Sequence, residues 1–446
     1  MTFVPNTDAE RLEMLNKIGV SNFDELIANI PEEVRYKGLL NLPPKLSELE
    51  AQKLLENLAN KNNTADTHVC FLGGGAYDHF IPAIVGSVLQ KPEFKTAYTP
   101  YQAEVSQGTL QAMYEFQSMV SELTGMDVSN ASLYDAGSGL AEAALMANAH
   151  NRRTEFLIAG QINPAYLEVT KTVTYGRNLT FSEIISEDGT CDIAKLEQSM
   201  SDKVSAVIVQ QPNFLGNLEE VREIEKIAHS KKALFIVVVN PISLGLLEAP
   251  GKYNADVVVG EGQPLGIPLS FGGPYLGLFA CKQEFVRKIP GRLSGITQDT
   301  DGNRAFVLTL QTREQQIKRD KATSNICTNQ GLFMLAATVY METMGKQGIA
   351  EVAEQSFQKA HYLAKQIENI PGFSLANDKP FFNEFLVKTP VDVRIIVNEA
   401  ADAGILPGLN IGRFLTDRKG LLIAVTEKRT KEELDSLVAF LSKYSS

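Results

Sequence analysis

The sequence predicts an α/β chain built on a mostly parallel central sheet, with a helical segment before it and a smaller α+β unit after it. Two observations carry this. Phe156-Leu157-Ile158-Ala159, Ala206-Val207-Ile208-Val209, Leu234–Val239, Val257-Val258-Val259 and Leu276-Gly277-Leu278-Phe279 are continuously apolar rather than alternating. Strands buried on both faces need that pattern. Helical text between them, such as Val221–Ser230, supplies the crossovers that parallel strands require. At 446 residues the chain is also too long for one core, so two or three domains are expected.

Taken in order, residues 1–66 form the helical segment. Asn41-Leu42-Pro43-Pro44 breaks it, and Ser47-Glu48-Leu49-Glu50 opens an amphipathic helix that runs through Leu58. The polar turn Lys61-Asn62-Asn63-Thr64-Ala65-Asp66 is the boundary. Residues 67–330 form the large α/β domain. Within it 103–123 reads as a long helix with Leu110, Met113, Phe116, Met119 and Val120 on one face. Residues 331–446 start with helical text at Gly331 and form a small α+β domain. Its strands are expected at 385–388 and 421–425, and its closing helix at 431–442.

Lys plus Arg total 42 against 53 for Asp plus Glu, a net charge of −11. That balance argues against nucleic acid or an anionic membrane as partner. The longest apolar runs are strand-length and too short to span a bilayer. Met1-Thr2-Phe3-Val4-Pro5-Asn6-Thr7-Asp8 has no basic region followed by an apolar one, so no secretory leader is expected. Cys70, Cys191, Cys281 and Cys327 are scattered without metal-ligand spacing. The expectation is a cytoplasmic protein with reduced thiols and no metal.

Five stretches are candidate sites, each with a plain structural alternative. Tyr134-Asp135-Ala136-Gly137-Ser138-Gly139 precedes a helix, whose free N–H groups suit a phosphate; taken by itself the motif is weak, and a plain tight turn is the readier explanation. Asn240 ends an apolar strand, where ligands of α/β sheets sit, or it caps a turn before Pro241. The segment from Gly262 to Pro274 has the layout of a pyridoxal-phosphate (PLP) lysine loop, with Gln263 where the imine-forming lysine would stand. An amide nitrogen is not nucleophilic, and no lysine lies between Lys252 and Lys282. Composition alone makes this an ordinary Gly/Pro loop. Tyr98-Thr99-Pro100-Tyr101-Gln102 offers phenol and amide groups before a long helix, for an interface or as a buried pair. The stretch 311–330 turns from charged to rich in hydroxyls and amides, which suits either a solvated face or an oxyanion cradle. Arg292, after Pro290-Gly291, is a further carboxylate or phosphate contact.

Taken together these stretches become specific. The stretch 98–108, Asn130-Ala131-Ser132-Leu133, Pro268 with Gly272-Gly273-Pro274, Pro290-Gly291-Arg292 and 310–330 resemble the P-protein (glycine decarboxylase) family of the glycine cleavage system. The likeness runs from about residue 10 to 440, and 312–330 is its most specific piece. It is to subunit 1, the N-terminal half of what many organisms make as one long chain. The family's catalytic half reads His-Lys-Thr-x-x-Ile-Pro-His-Gly-Gly-Gly-Gly-Pro. Counting back from Gly272-Gly273-Pro274, Gln263 falls in register with that lysine and Gly262 with the histidine. Asn240 falls at the position of the aspartate that keeps the cofactor ring protonated.

The resemblance implies an aminotransferase-like (fold type I) architecture and a heterodimer, or an α2β2 heterotetramer, with glycine dehydrogenase activity. Subunit 2 would carry PLP, glycine would lose CO₂, and the aminomethyl group would pass to the lipoyl arm of H-protein. This chain, inactive alone, would complete the site at the interface. Tyr98, Thr99, Tyr101 and Gln102 would stand at the substrate and lipoyl entrance, and Thr323, Ser324 and Asn325 near the partner's PLP phosphate. Gly137, Ser138, Gly139, Asn240 and Gln263 would outline a vestigial PLP pocket. Two other readings stay open: a scaffold that docks H-protein without contributing to chemistry, and an autonomous PLP lyase or transaminase using another lysine.

Overall fold

The computed structural model describes residues 6–38, 40–270 and 272–445. Met1 to Pro5, read above for a leader, and Phe271 of the Gly/Pro loop lie outside the described residues. The chain divides into two compact units, Met1–Asn62 and Asn63–Ser446.

The first unit holds helices at Asp8–Ile18, Phe23–Leu26 and Glu48–Ala59. The first and last open on capping boxes, Thr7 with Glu10 and Ser47 with Glu50, each satisfying two orphan donors. No residue of these three helices is buried, and Leu12, Ile18, Phe23, Leu49 and Leu55 are exposed. Helices this short are marginal by propensity alone, so their apolar faces need a cover.

The second unit is organised by a seven-stranded sheet. Its strands are β1 (Val128–Ser129), β2 (Glu155–Ala159), β3 (Thr180–Ile184), β4 (Val204–Gln211), β5 (Leu234–Val239), β6 (Val257–Glu261) and β7 (Gly277–Cys281), in the order β1-β7-β6-β5-β4-β2-β3. Neighbours from β3 through β6 run parallel, while β7 is antiparallel to both β6 and β1. Side chains alternate between two cores. Ala206 and Ile208 pack with Leu140, Ala143 and Ala147 of helix α2 (Ala136–Asn151). Val207 and Val209 share the other core with Leu110, Met113 and Phe116 of α1 (Gln107–Thr124). Both faces are covered, which is why these strands are apolar at every position. The close fit of α2 on the sheet requires Gly139, where a Cβ would stand 2.8 Å from Val259 Cγ1.

Two elements differ from the sequence reading. The expected helix at 103–123 is a 3₁₀ turn, Ala103–Val105, followed by α1, because Ser106 leaves helical backbone values (φ −123°, ψ 22°). A hairpin, Leu293–Gln298 with Arg304–Thr309, follows β7 and was not legible, since both strands are half exposed and the first mixes Ser, Gly, Thr and Gln with its apolar residues.

The helical stretch α3 (Gly331–Glu368) is interrupted at Gly345, where φ is 60°. Its first part packs in the core beside α1. Its last turns, with Ala360, Leu363 and Ile367, join a third core with Phe385, Val387, Leu421, Ile423, Leu434 and Leu437. A four-stranded antiparallel sheet underlies that core. Val69–Cys70 pairs in parallel with Ile405–Leu406, so the segment that opens this unit is knitted to its C-terminal part. That pairing brings 73–79 and Glu384 to the ends of β5 and β6.

Candidate functional site

Helix α2 begins directly against the C-terminal end of β6. Asp135 caps it: the Asp135 Oδ1 accepts from Ser138 N at 2.7 Å, and Ser138 Oγ accepts from Asp135 N at 3.1 Å. The first helical N–H, at Ala136, donates to Glu261 Oε2 at 3.2 Å. Glu261 Oε1 accepts from Leu276 N (2.9 Å) and Gln263 N (3.2 Å). The Glu261 carboxyl group therefore occupies the electropositive end of the helix. Burial pushes the Glu261 carboxyl up to about 8, against the pull of its backbone N–H donors.

Gln263 is 1% exposed and its amide is closed at both ends. Oε1 accepts from Tyr77 N at 2.8 Å, and Nε2 donates to Tyr77 O at 3.0 Å and Ile267 O at 2.7 Å. Tyr77 Oη in turn donates to Glu384 Oε2 at 3.0 Å, and Glu384 Oε1 accepts from Gly74 N at 2.7 Å. Burial lifts Glu384 to about 7. Desolvation, reinforced by the Glu384 charge, holds the Tyr77 phenol well above its usual range. Gly75 has φ +115°, and a Cβ there would meet Tyr166 Oη at 2.6 Å, so the loop 73–79 needs glycine to lie this close.

Tyr77, Tyr166, Asn240, Glu261, Pro264 and Glu384 line what remains, a cavity of about 20 Å³, room for about one water. Asn240 has a second duty, since its Oδ1 accepts from Ile242 N at 3.1 Å and caps the turn Pro241–Gly245.

A second cluster forms around Arg292, which is 4% exposed. Its guanidinium donates to Thr99 Oγ1 (3.2 Å), the Cys327 carbonyl (2.7 Å), Asn329 Oδ1 (3.0 Å) and Thr328 Oγ1 (3.5 Å), and lies 5.9 Å from the Tyr101 ring centre. Among the described residues no carboxylate lies within 4.0 Å of it, and its Nε has no partner. Beside it is a cavity of about 250 Å³ lined by Tyr98, Thr99, Thr328 and Asn329 on one side and by Met113, Leu332 and Leu335 on another.

The structure thus brings Gly137, Ser138, Gly139, Asn240 and Gln263 to one place, and Thr99, Tyr101 and Arg292 to another. Tyr98 is 90% exposed beside that second cavity, and Gln102 is exposed. Thr323 and Ser324 sit elsewhere, in a hollow of about 20 Å³ with Arg287, Lys288, Arg313 and Lys318, and Asn325 is exposed. The sequence reading missed Glu261, Tyr77 and Glu384, and it held Thr328 and Asn329 within 311–330 without singling them out. A carboxylate ending an otherwise apolar strand was the available sign for Glu261.

Comparison with known proteins bears on this arrangement. The family model "Glycine cleavage system P-protein" matches residues 1–441. The chain belongs to that family. A Chloroherpeton thalassium protein named probable glycine dehydrogenase (decarboxylating) subunit 1 is 55% identical over 443 residues, covering 99% of this chain and all of the relative. One of the same name from Carboxydothermus hydrogenoformans is 51% identical over 442 residues and 99% of each chain. A crystal structure of glycine decarboxylase (P-protein) of the glycine cleavage system, in inhibitor-bound form, superposes with a TM-score of 0.91 at 39% identity over the full length of both chains. An Escherichia coli cysteine desulfurase, 15% identical, has a TM-score of 0.64 over 85% of this chain and 95% of its own, which speaks to fold alone. The fold is the type I architecture of PLP enzymes.

PLP, the cofactor of that fold class, does not fit the cavity at Gln263. Residue 263 is Gln, the Glu261 carboxyl group holds the helix end, and the 73–79 loop is bonded across Gln263. No helix among the described residues is long and apolar enough to cross a membrane.

Proposed function

We propose that this chain is subunit 1 of a glycine dehydrogenase (decarboxylating) and acts by completing the active site of a PLP-bearing partner, subunit 2. The observation that carries this reading is Gln263 of a P-protein family chain, buried and hydrogen-bonded through its amide to Tyr77 and Ile267. PLP on the partner supplies the electron sink for decarboxylating glycine, with the lipoyl arm of H-protein as acceptor of the aminomethyl group. This chain contributes shape and polar groups. Tyr98, Thr99, Tyr101 and Gln102 form the entrance for substrate and lipoyl arm, and Thr323, Ser324 and Asn325 face the partner's PLP phosphate. The cavity beside Arg292, cationic on one side and apolar on the other, supports an interface role for this region.

The exposed apolar residues of the Met1–Asn62 unit support a tight partner, as heterodimer or α2β2 heterotetramer. The assembly works in the cytoplasm. A scaffold reading draws on these same residues. The test is co-expression with the partner subunit and a glycine–bicarbonate exchange assay with lipoylated H-protein. Exchange in the mixture and in neither subunit alone is expected. Full activity of the partner alone overturns the proposal.

A further inference from the structure

The cofactor position of this fold lies where the ends of β5 and β6 meet the first turn of α2, and here its contact points are taken by the chain itself. Of the helix's terminal donors, Ala136 N–H is spent on Glu261 and Ser138 N–H on the Asp135 carboxylate. A bound phosphate needs such donors free. The side chain at the lysine position is bonded at both amide ends, and the loop 73–79 lies over it, tied by Gln263 and Glu384. We propose that the Glu261 carboxyl group, accepting from Ala136, Gln263 and Leu276, sits in the phosphate position, and that with Gln263 it has turned a cofactor site into a joint holding the 73–79 loop. Loss of the lysine is then only half of the change. A lysine at 263 alone does not restore cofactor binding, because the phosphate position remains filled.

The joint is a property of this chain, so its test reads no activity of the complex and stands or falls separately from the subunit role. The full-length chain is titrated calorimetrically with pyridoxamine 5′-phosphate, which needs no lysine. Wild type is expected to show no saturable binding, and E261A to show saturable binding. In parallel, Q263K and E261A/Q263K are mixed with PLP, reduced with borohydride and mapped by mass spectrometry. The double variant is expected to capture PLP at residue 263 at least about tenfold better than Q263K. Saturable binding by wild type, equal binding by wild type and E261A, or stoichiometric capture by Q263K alone overturns the inference. Should the E261A proteins fail to fold, wild type and Q263K still decide it: tight binding by either refutes the filled position, and absence from both supports it.

Discussion

Gln263 and Tyr77, 186 residues apart, hold each other by two hydrogen bonds: Tyr77 N–H to Gln263 Oε1 at 2.8 Å, and Gln263 Nε2 to the Tyr77 carbonyl at 3.0 Å. A side-chain amide here imitates a strand pairing and satisfies a buried backbone on both its donor and its acceptor. Gln263→Ala should therefore cost about 2–4 kcal/mol, from three bonds lost in a buried site. Gln263→Glu should cost at least as much, because a second oxygen would face the carbonyls of Tyr77 and Ile267. Urea melts read the cost, and hydrogen exchange should show faster opening of 73–79. An unchanged midpoint for both variants would refute the role assigned to the amide.

Arg292 joins stretches that lie far apart in the chain, at Thr99 and at 327–329. Lysine keeps the charge but cannot make a planar fork with several partners. Arg292→Lys should lower stability by about 1–3 kcal/mol and reduce exchange activity of the complex about tenfold or more. Arg292→Ala should be worse on both counts. Wild-type activity in the lysine variant would show that the fork geometry is dispensable.

The buried carboxyls give a pH dependence of definite sign. Glu384 is raised by burial from 4.5 to about 7 and Glu261 from 4.5 to about 8. Between about pH 4.5 and those values the native state binds more protons than the unfolded chain. Stability should therefore fall as pH rises through that window, by at most about 1.4 kcal/mol per pH unit for each group, and level off above it. Asp188, lowered to about 2, titrates outside this window. Glu384→Gln should lessen the pH 5–7 slope in denaturant titrations by at most about 1.4 kcal/mol per pH unit, the remainder coming from Glu142, Glu219 and Glu261, which burial raises into the same window. A slope identical to wild type would mean that Glu384 does not titrate there.

Tyr98 and Tyr101 stand beside the Arg292 cavity with their rings exposed, so removing their hydroxyls should leave the fold intact. Tyr98→Phe with Tyr101→Phe should reduce glycine–bicarbonate exchange about tenfold or more while thermal midpoint and complex formation stay within error. Undiminished exchange would remove the entrance role and favour the scaffold reading.

Much of the fold was legible because it is written in local patterns. Leu234–Val239 and Val221–Ser230 fall at their expected bounds, one as an apolar run buried on both faces and the other as an amphipathic helix. The hairpin at 293–309 escaped, because a strand with one solvated face and polar side chains resembles a loop. At the site, Gln263 stood out only through the register of the surrounding Gly/Pro residues. Glu261, two positions earlier, looked like any acidic residue at a strand end, and nothing local reveals that Ala136 and Leu276 donate to it. Likewise Thr323 and Ser324 resembled an anion cradle as much as Thr328 and Asn329 did. The path of the loop turns the second pair toward Arg292 and the first into a separate hollow.

The sequence by itself determined that this chain folds as a parallel-sheet α/β protein of the P-protein family and has no lysine between Lys252 and Lys282. Those properties rest on periodicity, residue identity and spacing, which a linear string carries in full. Tertiary structure decided that the position of Gln263 is closed rather than open. Closure needs Tyr77, Ala136, Glu261, Gln263, Leu276 and Glu384 within hydrogen-bond distance, and contacts between groups so far apart in sequence exist only once the sheet and the C-terminal core have assembled.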